Sequence, residues 1–216
     1  NYSLSFSLCH NLRLSLIITE RKFCMISENW AILGAGINLM GGLAYLWGTW
    51  RGKNSPNRAT WLIWAIAPFV ILAAQADARV GTQALLTFTA GFTPALIFLA
   101  SFKNKKSFWK LGTIDYGCGV LSIFGLLLWL ITKEGSLAII FSIASDFLAA
   151  VPTAIKSYTN PETESGPPFL FNIVGAGITI LTIESFSLES SAFAVYYLIL
   201  ATTLFVLIQF KIGPRL

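Results

Sequence analysis

Charge is what this chain most conspicuously lacks. Only 12% of its 216 residues are Asp, Glu, Lys or Arg, about half of what soluble domains carry. With 55% hydrophobic residues and a mean hydropathy of +0.69, a water-soluble fold of this size would expose large apolar patches. Histidine is nearly absent too, with His10 alone, and the three cysteines (Cys9, Cys24, Cys118) show neither paired nor ligand-like spacing. Zinc and thiol chemistry are thereby set aside, and no metal or cofactor is expected. Cys118, among glycines in an apolar run, reads as a small buried residue. No nucleophile–base pair or phosphate loop occurs, and a membrane hydrolase would need two or more acids or histidines converging within the bilayer. Only Asp146 qualifies, so an enzyme is not expected. The formal net charge of +5 does not suggest nucleic acid as a partner. The cations sit in short clusters between apolar runs, the pattern of loops beside a membrane.

Long apolar runs are what the chain has. They recur seven times, at about 30–50, 59–77, 81–101, 112–132, 136–155, 168–183 and 190–210, each near the ~20 residues needed to cross a bilayer. Alternation of the barrel-strand kind is missing, and helices are then the spanning form that satisfies its own backbone. The fold expected is all-α: a polytopic membrane protein with seven transmembrane helices, its main partner the lipid bilayer. Residues 1–24 lack the charge, apolar core and small-residue order of a signal peptide. They are expected to be a disordered or non-native extension ahead of Met25.

Lys and Arg counts set an orientation. Arg51, Lys53, Arg58, Lys103, Lys105, Lys106, Lys110, Lys156, Lys211 and Arg215, ten in all, fall on one side. Arg79 and Lys133 fall on the other, joined by Arg13, Arg21 and Lys22 if residues 1–24 count, which makes five. The amino terminus is expected outside and the carboxyl terminus in the cytoplasm, in the plasma membrane.

Two segments resemble each other. GGLAYLWGTWRGKNSPNRATW (41–61) aligns with SDFLAAVPTAIKSYTNPETESG (145–166) at a shift of 105, bringing Pro56 to Pro161, Arg51 to Lys156 and Gly41 to Asp146. LIFLASFKNK (96–105) resembles LFVLIQFKIG (204–213) at a shift of 108. The organisation expected is a first three-helix repeat at 25–105, a linker helix at 106–134 and a second three-helix repeat at 135–216. With one helix between them, the copies run parallel.

Within the spans, polar residues fall into stripes. Asp146 is the sharpest candidate, because a carboxylate near the bilayer centre is costly and usually faces a cavity or a partner. Ser142, Ser145, Asp146, Ala149 and Thr153 share one face by three-and-four spacing. Burial raises a carboxyl pKa, so Asp146 is a candidate to bind and release a proton; the alternative is a helix–helix hydrogen bond. Asn38, Gly41, Tyr45 and Thr49 make the matching stripe in the first copy. Trp61, Trp64, Pro68, Ile71 and Gln75 share a face on the second helix, and Gln83, Thr87, Gly91 and Pro94 on the third. Trp64, Asn172, Asn38, Gln83 and Tyr45 are candidates for contacting a solute, with Trp61 read as part of an interfacial aromatic belt. Pro152, Pro68 and Pro94 interrupt helices and are candidate hinges, or shape packing alone. Asp115 and Tyr116 are expected to meet the lysine cluster at 103–110.

Three helices, a linker and three more, an outside amino terminus, and Val151-Pro152-Thr153-Ala154-Ile155-Lys156-Ser157-Tyr158 before a polar turn: this plan resembles the SWEET and PQ-loop transporter superfamily. Thr153 stands where PQ-loop proteins carry glutamine, and Trp47 stands where Pro152 would fall in the first copy. The bacterial nicotinamide riboside transporters resemble the same plan. The resemblance implies alternating access for a small polar solute (a sugar, an amino acid or a nucleoside-like molecule). It also implies an aspartate near Asp146 in the proton-coupled relatives, and is compatible with a homo-oligomer. The contrasting expectation is a non-transporting receptor or structural subunit, for which the KDEL receptors of the superfamily are the precedent.

Overall fold

The computed structural model describes residues 26–103, 112–113, 115–118, 120, 127, 131 and 134–213. The extension at 1–24, most of the linker at 106–134 and the lysines of the 103–110 cluster beyond Lys103 lie outside the described residues. Within these the chain is all-helical: α1 (Trp30–Trp50), α2 (Arg58–Asp77), α3 (Ala84–Lys103), α4 (Gly135–Thr159), α5 (Gly166–Leu181) and α6 (Leu188–Phe210), with a 3-10 turn at Pro161–Thr163 between α4 and α5.

Local chemistry sets the boundaries. Asn57 caps α2 by accepting from the backbone N–H groups of Ala59 and Thr60, and Ser187 caps α6 in a reciprocal box with Ser190. Pro167 and Pro168 open α5, where their missing N–H groups cost no helical bond. Five helices, α1, α2, α3, α4 and α6, are long and apolar enough to cross a membrane. The sixth expected run, 168–183, forms only the 16 residues of α5, about 24 Å of helix against a hydrocarbon core of about 30 Å. Its proline-rich opening and the preceding 3-10 turn take up chain that would otherwise lengthen it.

Burial is inverted relative to a soluble protein. Asn38, Gln75, Thr87, Ser142, Asp146 and Lys156 are buried, while Trp30, Met40, Trp47, Leu99, Phe147 and Ile199 are exposed. An apolar exterior around a polar interior is the solution a lipid solvent favours.

The six helices pack in a closed ring, in the order α1, α3, α2, α4, α6, α5 and back to α1. In each triplet the third helix lies between the first and the second. The triplets meet through α1 against α5 and α2 against α4. At the α1–α5 crossing Gly34 faces Gly175; a Cβ on Gly175 would come within 2.5 Å of the Gly34 carbonyl oxygen. Glycine at both positions lets the backbones touch.

Hydrogen bonds show which ends lie together. At one end, Ser55 N–H donates to the Thr163 carbonyl at 3.0 Å, and the Arg58 guanidinium donates to the Ser101 carbonyl at 2.7 Å. At the other, Ile26 N–H donates to the Leu181 carbonyl, Gln83 to the Thr182 carbonyl and Ser136 to the Glu189 carboxylate. Helices α1 and α4 thus start at the same end. The facing surfaces of α3 and α6 also correspond. Ala90, Thr93, Pro94 and Ile97 of one, and Tyr197, Leu200, Ala201 and Leu204 of the other, line the same cavity. These pairs are 107 positions apart (197 − 90 = 107), one fewer than the shift of 108 that aligns the helix ends.

Candidate functional site

All six helices contribute to one central cavity. Gly42 and Tyr45 come from α1, Trp61, Trp64 and Pro68 from α2, and Asp146 from α4; Pro168, Phe169 and Asn172 come from α5, and Phe193 and Tyr197 are among the α6 residues. The space is narrow: about 40 Å³ is open to the centres of water molecules, room for about three waters. Apolar clusters bound it on both sides. Tyr45, Trp61, Trp64, Ile97, Ala150, Phe169 and Leu204 pack together toward one end, and Ile71, Ala74, Ala90, Ile139 and Phe193 toward the other.

Asp146 stands between them, near the middle of α4 and only 3% exposed. Its Oδ2 accepts from the Tyr196 hydroxyl at 2.7 Å, and its backbone carbonyl accepts from the Trp64 indole N–H at 3.3 Å. Tyr197, adjacent on α6, exchanges hydrogen bonds with the Asn38 amide at 3.2 and 3.4 Å. Among the described residues no Lys or Arg forms an ion pair with Asp146, and the buried ion pair Lys156–Glu164 lies apart from it. A buried carboxylate without a countercharge is costly to keep. Asn172 adds a buried side-chain oxygen that has no partner. Pro68 and Pro94 lie inside α2 and α3, where a proline removes the helical donor of the carbonyl four residues earlier. Those carbonyls belong to Trp64 and Ala90, both in the cavity wall.

The aromatic wall is continuous. Tyr45 and Trp61 lie 4.6 Å apart between ring centroids, Trp61 and Trp64 meet edge-to-face at 5.2 Å, and Tyr45 meets Phe169 at 6.2 Å. Trp61 is therefore not a belt residue. It is 5% exposed, because its position on the Trp64–Pro68–Ile71 face turns it into the ring.

Beneath the aromatics a polar latch closes one end. The Tyr45 hydroxyl donates to the Glu164 carboxylate, whose other oxygen holds the Lys156 ammonium at 2.6 Å. Lys156 also donates to the Ser55 carbonyl, and the Asn54 amide to the Tyr45 carbonyl at 3.2 Å. The latch joins α1, the α1–α2 loop, α4 and the α4–α5 turn. Lys156, counted in the sequence among surface loop cations, is 1% exposed. Beside it the Thr60 hydroxyl donates to the Ala149 carbonyl at 2.7 Å and receives the Thr153 hydroxyl at 3.0 Å. These bonds cross-link α2 to α4 next to Pro152, which is buried inside α4 and outside the cavity wall. Asp115 accepts from the Asn57 amide and the Gly112 N–H, so it meets the α2 cap.

Of the solute-contact candidates, Trp64, Tyr45 and Asn172 line the cavity. Asn38 stands behind it, holding Tyr197. Gln83 lies away from it, ahead of α3, in a second cleft at the opposite end with Glu28, Arg79, Glu184 and Glu189. Sequence reasoning missed Tyr196, Tyr197 and Glu164. The signal for the tyrosines was their pairing inside an apolar run, where each hydroxyl needs a partner. Among the described residues no three His, Cys, Asp or Glu side chains converge as metal ligands. Comparison with family models, curated proteins and solved structures finds no match.

Proposed function

We propose that this protein is an integral membrane transporter that moves a small polar solute by alternating access, on the seven-span plan of the SWEET and PQ-loop superfamily. The observation that carries this reading is a cavity lined by all six helices of the ring, with Asp146 in its wall. A packing subunit has no need of a pocket walled by Trp61, Trp64, Tyr45 and Phe169 that also takes in Asp146 and Asn172. The arrangement of helices, with α3 and α6 each in the middle of its triplet, fits two parallel repeats that rock against each other across the α1–α5 and α2–α4 seams. Asp146 is the coupling residue, facing Tyr196 and Tyr197 as the other titratable groups nearby. Pro68, Pro94 and Pro152 are the points where α2, α3 and α4 bend.

The latch of Tyr45, Glu164, Lys156 and Ser55 is the gate on one side, and the Ile71–Ile139–Phe193 cluster the gate on the other. The latch end carries Arg51, Lys53, Arg58, Lys103 and Lys211, whereas the opposite end carries Glu28, Asp77, Glu134, Glu184 and Glu189 with Arg79. By the positive-inside rule the latch lies in the cytoplasm and the amino terminus outside. Purified protein in liposomes, screened against radiolabelled sugars, amino acids, nucleosides and amines with and without a pH gradient, tests this. Saturable uptake of one class is expected. Uptake of none beyond protein-free vesicles would leave a receptor or structural role.

A further inference from the structure

The centre of the cavity combines two things seldom left together without a purpose: a buried acid lacking a countercharge and a wall of aromatic faces. We infer that the solute is a small organic cation, an alkylammonium, whose charge sits at Asp146 and whose carbon body rests on Trp64, Tyr45 and Phe169. This rests on the transporter reading above and names its substrate class.

Electrostatics carries the inference. Among the described residues no cation pairs with Asp146, and the Tyr196 hydroxyl supplies one neutral hydrogen bond. A carboxylate so placed is stabilised by any cation that enters with its own charge. Aromatic faces attract the same ions: Trp is the strongest cation–π partner, and the effect grows in a desolvated site. The wall holds acceptors that lack a donor. The Asn172 oxygen has no donor, and Pro68 and Pro94 deprive the Trp64 and Ala90 carbonyls of theirs. A primary ammonium group offers N–H donors to such acceptors, and a quaternary one offers its charge alone to Asp146 and the aromatic faces. One donor without a partner, the Trp61 indole N–H, lines the same cavity.

The approach to the cavity agrees. The cleft at the end opposite the latch is bordered by Glu28, Glu184 and Glu189 against the single Arg79. An acidic mouth raises the local concentration of cations and repels anions. With that end outside, an inside-negative potential adds a driving force of about 2.3 kcal/mol per charge per 100 mV for cation import.

The test is calorimetric binding to the full chain in lipid nanodiscs. Choline is paired with its neutral isostere 3,3-dimethylbutan-1-ol, and propylammonium with propan-1-ol. At least one cation is expected to bind about tenfold or more tightly than its neutral partner, as desolvated cation–π and charge-assisted contacts allow. Asp146→Asn should erase that preference and Asp146→Glu keep most of it. Equal binding of cation and isostere, or binding of neither cation, would overturn the inference, and this wild-type comparison does not depend on how the variants fold. Liposome uptake separates the two levels. Transport of a neutral solute with no cation bound sinks the substrate class and spares the transporter. A cation that binds and never crosses spares the site and sinks the transporter.

Discussion

The buried pair Lys156–Glu164 permits the sharpest prediction about the fold. Replacing Lys156 by Met keeps most of the side-chain volume and leaves the Glu164 carboxylate buried with only the Tyr45 hydroxyl. Breaking one partner of a buried pair costs about 3–5 kcal/mol, because the remaining charge is uncompensated. Lys156 is 1% exposed and Glu164 8%, so little water is at hand to soften this. Thermal unfolding of a chain this size shifts by roughly 2–4 °C per kcal/mol, which predicts a fall of about 6–20 °C for Lys156→Met. The double variant Lys156→Met with Glu164→Met should recover most of the loss, since replacing a whole buried pair by apolar side chains is close to neutral. The measurement is a tryptophan-fluorescence melt of protein in mild detergent. An unchanged melting temperature in the single variant would refute the buried-latch reasoning, and so would a double variant worse than the single.

Three further outcomes follow from other parts of the molecule. Gly175→Ala places a methyl within 2.5 Å of the Gly34 carbonyl oxygen and should cost about 1–3 kcal/mol by forcing α1 from α5; a melt within error of wild type would argue against the crossing. Uptake should fall as external pH drops, because a proton and a cation compete for the Asp146 carboxylate; the titratable groups beside it are Tyr196 and Tyr197 on α6. In Asp146→Asn that pH response should flatten, and an intact response would move coupling elsewhere. Single cysteines at Lys53 and Glu184 in a background free of native cysteines should react with an impermeant maleimide from the inside and the outside respectively, and the reverse pattern would invert the orientation.

Much of the interior was legible in advance because helical spacing decides which side chains share a face. Ser142, Ser145, Asp146, Ala149 and Thr153 are all buried, as are Asn38, Gly41, Tyr45 and Thr49 and the Trp61–Gln75 stripe. The same spacing reaches Lys156, ten residues after Asp146 and three after Thr153, but a lysine near a span end reads as a loop cation until a buried carboxylate is known to wait for it. That carboxylate, Glu164, follows a 3-10 turn whose path periodicity does not predict. Gln83 illustrates the opposite error: it continues the Thr87–Pro94 stripe by number, yet α3 begins at Ala84 and the side chain bonds the α5 terminus. Which helix neighbours which was beyond the sequence, because contacts such as Tyr196 with Asp146 join residues 50 apart.

The most direct test needs no knowledge of the solute. Ala201 is 2% exposed and lines the cavity, and cysteine there adds only a small side chain. Alternating access predicts that Ala201→Cys in a cysteine-free chain reacts with a small charged thiosulfonate added to either side of sealed vesicles. Reaction from one side alone, or from neither, would contradict a path that opens to both.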